Sequence, residues 1–278
     1  MAKRIVQSEN IAIPAKYVNS YPIKSTQQPS INTIKLSQMG ERLGANWGVY
    51  GEMKTGKSYT VKLLSLSYFR KGKRVLILDH NYNDLTYNDF WGITPIIINQ
   101  DKFMEIEWNR MPDNIVVRIQ PNSDLESFDF DKFFLKAKRI TDSVLVLDDM
   151  MDVFGSKATS NVMNFPSTVM NNRNEAFYQF HTFTQAQPFL RQRLQNLVLK
   201  NLPKDVEIPK DFPTSISYIK WSIEEINATN EHLPFGKRFE WRIIHMDDGL
   251  VTRPVKLDGK TEEIVSYPLS QYFKNRMK

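Results

Sequence analysis

The segment Gly51-Glu52-Met53-Lys54-Thr55-Gly56-Lys57-Ser58 constrains the fold of this chain more than any other feature. It follows a short apolar run, Trp47–Tyr50. It opens a stretch from Ser58 to Arg70 that places Val61, Leu64 and Tyr68 on one helical face and ends before Gly72, a C′ residue. The glycines let backbone N–H groups curl around phosphate oxygens, and the helix that begins near Lys57 points its positive end at them. This is the G-x-x-x-x-G-K-[ST] pattern of a phosphate-binding loop, the Walker A motif. Lys57 is expected to reach the β- and γ-phosphates and Ser58 to ligate Mg²⁺. Gly51, Lys54, Thr55, Gly56 and Tyr59 are expected to complete an ATP cradle. A chance match in a chain of 278 residues is on the order of one in a hundred. Such a loop requires a strand before it and a helix after it, so the chain must be at least partly α/β.

Further short apolar runs separated by helical stretches support that class, because buried parallel strands alternate with crossover helices. The expected strands are Trp47–Tyr50, Arg74–Asp79, Ile115–Ile119, Val144–Asp148, Phe177–Phe183 and Leu197–Lys200. A helix is expected over Asp129–Arg139, with Phe130, Phe133, Phe134 and Ala137 packed inward and Lys132, Lys136 and Arg139 solvated. Beyond residue 205, Pro203, Pro209 and Pro213 change the texture. The runs Phe239–Met246 and Leu250–Lys256 flank Asp247-Asp248-Gly249, a hairpin signal. Three regions are expected: an extended basic arm over 1–45, an ATPase core over 46–205, and a β-rich appendage and tail over 206–278.

Val144-Leu145-Val146-Leu147-Asp148-Asp149 reads as a buried strand ending in two carboxylates, a Walker B pattern. Asp148 would hold Mg²⁺ or its water and Asp149 would polarise the attacking water. Thr184-Gln185, at the end of the expected strand Phe177–Phe183, reads as a polar residue at Gln185 that senses the γ-phosphate or orients water, with a simple cap on the strand end as the alternative. His181 reads as a packed or surface histidine, and Lys54 as a residue that adds a phosphate contact, reaches a neighbouring site or faces solvent.

Composition sets the remaining bounds. No cysteine occurs, which excludes disulfides, thiol nucleophiles and cysteine-ligated metals, and the four histidines lack metal-ligand spacing. No apolar run approaches a membrane span and the N-terminus lacks a signal-peptide core, so a soluble, unsecreted protein is expected. The net charge of +6 is uneven: residues 1–45 carry six bases and two acids, 46–185 sixteen and seventeen, 186–278 fifteen and twelve.

The Walker A element, the Asp148-Asp149 pair, Asn172-Arg173-Asn174 before a strand, Gln185, and Phe189-Leu190-Arg191-Gln192-Arg193 resemble the FtsK–HerA superfamily of P-loop ATPases, in particular its viral genome-packaging branch. The likeness covers about residues 44–202. It implies a RecA-like (ASCE) P-loop NTPase fold, with a mainly parallel sheet flanked by helices and here a small β-rich C-terminal appendage. It also implies a homo-oligomeric ring, with an arginine from one subunit completing its neighbour's ATP site; Arg173, Arg191 and Arg193 lie in the matching region. The implied partner is double-stranded DNA, gripped through its phosphates without regard to sequence, with Arg70-Lys71-Lys73-Arg74 and Lys132-Lys136-Lys138-Arg139 as basic clusters. The arm is expected to dock a neighbouring subunit or a capsid or vertex protein, and the place of action is the host cytoplasm or the virion. The sequence departs from many cellular members at Asp149, where they carry Glu. The rival readings are a filamentous-phage assembly or conjugation-type ATPase, a small-molecule kinase or nucleotide switch, and a scaffold that binds nucleotide without hydrolysing it.

Overall fold

Alternation along the apolar runs buries both faces of a single sheet. In the computed structural model, which describes residues 44–79, 85–121, 128–150, 153–154, 158–233, 239–256 and 262–277, the first strand is β1 (Ala45–Tyr50), followed by helix α1 (Lys57–Phe69) and β2 (Arg74–Leu78). Next come β3 (Ile96–Ile98), α2 (Gln100–Glu105), β4 (Val116–Ile119), α3 (Phe130–Ala137), β5 (Ser143–Leu147), α4 (Ser160–Asn171) and β6 (Glu175–Phe180). The chain continues through α5 (Pro188–Arg191), β7 (Asn196–Leu199), α6 (Ile216–Glu231), β8 (Arg242–His245), β9 (Leu250–Lys256), β10 (Glu262–Pro268) and α7 (Leu269–Tyr272). The fold is α/β. Apart from residues 44–45, the expected basic arm lies outside the described residues.

The strands form one ten-stranded sheet in the order β10-β9-β8-β7-β1-β6-β5-β2-β4-β3. From β7 to β3 neighbouring strands are parallel, while β8, β9 and β10 add to the β7 edge antiparallel. On one face Trp47, Val49, Val75, Ile77, Val144, Val146 and Phe177 pack with Val61 and Leu64 of α1. On the other, Tyr50, Leu76, Leu145, Leu147 and Tyr178 pack with Phe133 and Phe134 of α3, Phe165 of α4 and Ile219 and Ile223 of α6. Two-faced burial explains why these strands read as continuous apolar runs.

Local signals act where chemistry requires them. Asp129 caps α3 by accepting from Lys132 N at 3.0 Å, and Thr159 caps α4. Gly249 supplies the positive φ (61°) between β8 and β9. The region after residue 205 contains a 16-residue helix, α6, as well as strands, and those strands continue the central sheet. The solvated face expected on α3 is partly occupied: Lys136 Nζ donates to the carbonyls of Phe103, Met104 and Ile106, closing the end of α2. No described helix is long and apolar enough to cross a membrane.

Candidate active site

In a parallel sheet, ligands bind beyond the carboxyl ends of the strands, at the point where the strand order reverses. Here β1 lies between β6 and β7, and β5 follows β6. Tyr50 is level with Phe180, and Leu147 with Tyr178. The sequence leaving these strands is the phosphate loop after Tyr50, His181 after Phe180, and Asp148-Asp149 after Leu147, so all three emerge side by side.

The loop is fixed by short-range bonds. Thr55 Oγ1 donates to the Glu52 carbonyl at 2.8 Å, and Glu52 N donates to Asn201 O at 3.0 Å, tying the loop to the end of β7. Lys54 (φ 62°) and Gly56 (φ 82°) take left-handed conformations, the backbone of an anion-binding nest. Lys54 points outward and is exposed. Gly51 must be glycine: an added Cβ would stand 2.5 Å from Lys200 Cβ and 2.9 Å from Thr55 Oγ1.

Lys57 Nζ donates to the carbonyls of Gly51 (2.7 Å) and Glu52 (3.1 Å) and lies 3.1 Å from His181 Nδ1. Burial lowers its pKa to about 8, against the opposing charges of Asp148, Asp149 and Glu52. Ser58 Oγ donates to Gln179 Oε1 at 3.3 Å, and Gln179 Nε2 donates to the buried Tyr87 hydroxyl at 2.7 Å. With its proton used in this way, the Ser58 oxygen keeps its lone pairs for a cation.

After β5 the chain turns sharply. Asp148 N bonds Leu78 O (3.2 Å) and Met150 N bonds Gln179 O (3.2 Å), which forces Asp149 between them to φ 46°. A non-glycine residue held there is strained, a feature concentrated at functional sites. Asp149 Oδ1 is shut off from solvent, has no hydrogen-bond partner among the described residues, and lies 3.9 Å from His181 Nε2.

His181, expected as a packed or surface histidine, stands between the Lys57 amine and the Asp149 carboxylate. Burial lowers its pKa, and the Lys57 charge adds to this, against Asp149 and a hydrogen bond to the Gly51 backbone carbonyl. A neutral ring accepting from Lys57 at Nδ1 carries its proton on Nε2, the nitrogen facing Asp149. Gln185 has a different setting from the one expected. The strand stops at Phe180, and Gln185 lies in a single 3₁₀ turn, Phe183–Gln185. Its Oε1 accepts from His181 N (2.7 Å) and Thr182 N (3.0 Å), so these amides turn away from the ladder and end the strand.

The three arginines separate by setting. Arg191 is 7% exposed and held by Asp211 through Nε and Nη2, each at 2.8 Å, with Nη1 on the carbonyls of Phe183 and Ala186. Its whole fork is committed within the chain. Arg173 (φ 57°) makes a bidentate pair with Asp142 and is exposed at 60% of its side chain. Arg193 is exposed and donates to Phe189 O at 2.9 Å. Arg173 precedes β6 and Arg193 precedes β7, at the strand ends opposite the loop. A six-residue strand is about 20 Å long, so neither reaches the site of its own chain. Of the basic clusters, Lys73 binds Arg173 O and Glu175, and Arg74 binds Asp113 and Met111 O.

The sequence matches no family model and no curated protein. Among solved structures, the genome packaging NTPase B204 from Sulfolobus turreted icosahedral virus 2, in complex with sulfate, matches at a TM-score of 0.50 and 13% identity, over 81% of this chain and 98% of that one. The two chains share a fold. B204 in complex with AMPPCP matches at 0.49 and 14% identity, over 80% and 97%. VirB4 of Thermoanaerobacter pseudethanolicus matches at 0.47 and 11%, over 72% and 86%. B204 and this chain keep one backbone arrangement although most side chains differ.

Proposed function

We propose that this chain is an FtsK–HerA-type ATPase that hydrolyses ATP with Mg²⁺ and drives double-stranded DNA, packaging a viral genome as one subunit of a homo-oligomeric ring. The observation that carries the hydrolytic reading is the convergence of Lys57, Ser58, Asp148, Asp149 and His181 at adjacent strand ends. A loop that only binds nucleotide has no need of a second carboxylate, with a buried oxygen, facing the histidine that contacts its lysine. B204 is a genome packaging NTPase solved with AMPPCP, and the shared fold supports the reading without identifying the cargo.

Each residue has a defined task. The loop amides and Lys57 bind the phosphates. Asp149 takes a proton from water as the water oxygen bonds to the γ-phosphorus and the bond to the β-phosphate bridging oxygen breaks, leaving ADP and inorganic phosphate. His181 stands with Nε2 3.9 Å from Asp149 and orients the polar surroundings of that carboxylate, and Gln185 fixes the backbone that carries His181, a positioning role upstream of the γ-phosphate sensing expected from its sequence. Ser58 and Asp148 suit Mg²⁺, a hard cation that takes one hydroxyl and one carboxylate when phosphates and water supply the rest; when bound it neutralises charge on the β- and γ-oxygens. Arg173 and Arg193, at the far strand ends, act only on another subunit's site. Duplex contact falls to exposed bases such as Arg70, Lys132 and Arg139, and docking to a capsid or vertex protein to the arm of residues 1–45.

The test is steady-state ATP hydrolysis with and without duplex DNA at two salt concentrations. Wild type is expected to turn over ATP, with a DNA stimulation that fades as salt rises. Lys57→Ala should lose nucleotide binding. Asp149→Asn should bind ATP but hydrolyse it about 10²–10⁴-fold more slowly. Hydrolysis indifferent to DNA at both salts would remove the translocase, and equal turnover in Asp149→Asn would remove Asp149 as base.

A further inference from the structure

We propose that Phe239 and Tyr59 form the wall on which the nucleobase of the bound nucleotide stacks, with Lys200 holding Phe239 in place. The inference rests on the nucleotide reading above and extends it to the base. The position follows from polarity. The reacting phosphate lies over β5 and β6, where Asp148, Asp149 and His181 emerge, and the loop from β1 carries the phosphate chain towards the first turn of α1. The other end of the nucleotide then leaves over β7, the remaining neighbour of β1.

Two aromatic rings stand there. Phe239 packs on the loop itself: a Cβ added at Gly56 would lie 2.9 Å from Phe239 Cδ1. Tyr59 directly follows the Ser58 hydroxyl in the first turn of α1. The Phe239 and Tyr59 rings are nearly parallel, 29° apart, with centroids separated by 6.4 Å. Trp91, itself buried, supports Tyr59 edge-on at 5.3 Å. Phe239 and Tyr59 are only half-buried, unlike the core aromatics.

Lys200 explains why Phe239 stays at the loop. Its amine is fully buried, which is costly for a lysine. It donates to Phe239 O at 2.7 Å and to Thr60 Oγ1 at 3.2 Å, joining the backbone before β8 to the helix that starts at the loop. Packing alone would be met by an apolar side chain; an amine with these two acceptors fixes a carbonyl, and through it the ring. Stacking reads the face of a base and not its edges, so the wall accepts purines generally, ATP and GTP alike.

The test measures equilibrium binding of ATP and of inorganic tripolyphosphate, which has the phosphates without the base, to the full chain. Phe239→Leu keeps apolar packing but removes the ring; it is expected to weaken ATP binding about tenfold and to leave tripolyphosphate binding unchanged. Phe239→Trp should restore ATP binding. Equal weakening for both ligands would mean that Phe239 only shapes the loop, and unchanged ATP affinity would mean that no base meets it; either result overturns the proposal. A wild-type chain that binds neither ligand would instead remove the nucleotide reading itself.

Discussion

At the residue scale, the imidazole 3.1 Å from the Lys57 amine changes what both groups do before any phosphate arrives. Lys57, with its pKa lowered to about 8 by burial, stays mostly protonated near neutral pH and spends its donors on two loop carbonyls and His181. On the proposed ATPase reading, incoming phosphates offer a stronger acceptor, which draws Lys57 to them and leaves His181 beside Asp149. His181→Ala is therefore expected to reduce kcat by about 10²-fold, the low end for a group assisting proton transfer, while nucleotide affinity stays near wild type. Single-turnover hydrolysis alongside equilibrium binding separates these effects, and an unchanged kcat would take His181 out of the reaction. His181 escaped the sequence reading because Phe177-Tyr178-Gln179-Phe180-His181 looks like any run that mixes aromatics and polar residues. Nothing in it shows that the strand stops at Phe180 or that β6 lies between β1 and β5. Gln179 was passed over for the same reason, although a glutamine inside a buried strand requires a partner, and here it finds Ser58 and Tyr87. The strand–turn–helix setting of residues 51–58 was legible because the glycine spacing dictates a particular backbone.

At the scale of elements, the strands nearest the site were readable to within a few residues, since burial on both faces makes them uniformly apolar. Several elements were not, and three of them show why. β3 is only three isoleucines, two of them half exposed on the sheet edge. β10 opens with Glu262-Glu263, which hides a strand whose pairing comes from β9. α6 spreads its buried positions, Ile219, Ser222, Ile223 and Ile226, among polar residues. The joint at the start of β6 has a measurable consequence. Glu175 is 1% exposed, accepts from Trp47 Nε1 at 2.8 Å and lies 3.5 Å from Lys73 Nζ, with Asp142 and Arg173 beyond. Burial raises its pKa to about 7 despite Lys73 and Trp47. Between the unfolded value near 4.5 and about 7, the folded chain keeps a proton that the unfolded chain releases. Stability from this residue is thus full below pH 4.5 and declines until about pH 7, by on the order of 3 kcal/mol. Thermal melts of wild type and Glu175→Gln across pH 5–7 should show a downward slope in the wild type that is reduced in the variant; parallel slopes would mean that Glu175 titrates alike in both states.

At the scale of the whole molecule, the parallel strands give the chain a direction. The phosphate loop, Asp148-Asp149 and His181 leave one end of β1, β5 and β6, and the exposed Arg173 and Arg193 occupy the other end of the sheet. Subunits that share a site across such a polarity must meet head to tail, a heterologous contact of the kind that closes into a ring where the rotation between neighbours returns to its start. β8 to β10 extend the sheet beyond β7 and therefore move with the strand that anchors the loop through Asn201 and Lys200. The separation of the two ends allows genetic complementation in a test tube. In the proposed ring, a subunit with Lys57→Ala would still lend its arginine, and a subunit with Arg193→Ala would still offer an intact loop. Where Arg193 is the residue lent, each variant alone should be inactive, yet mixing the two should recover a fraction of wild-type hydrolysis set by the chance that a sound loop faces a sound arginine. Recovery absent with Arg193→Ala but present with Arg173→Ala would transfer the role to Arg173. Each interface then behaves as a two-key lock, with one key held by each neighbour.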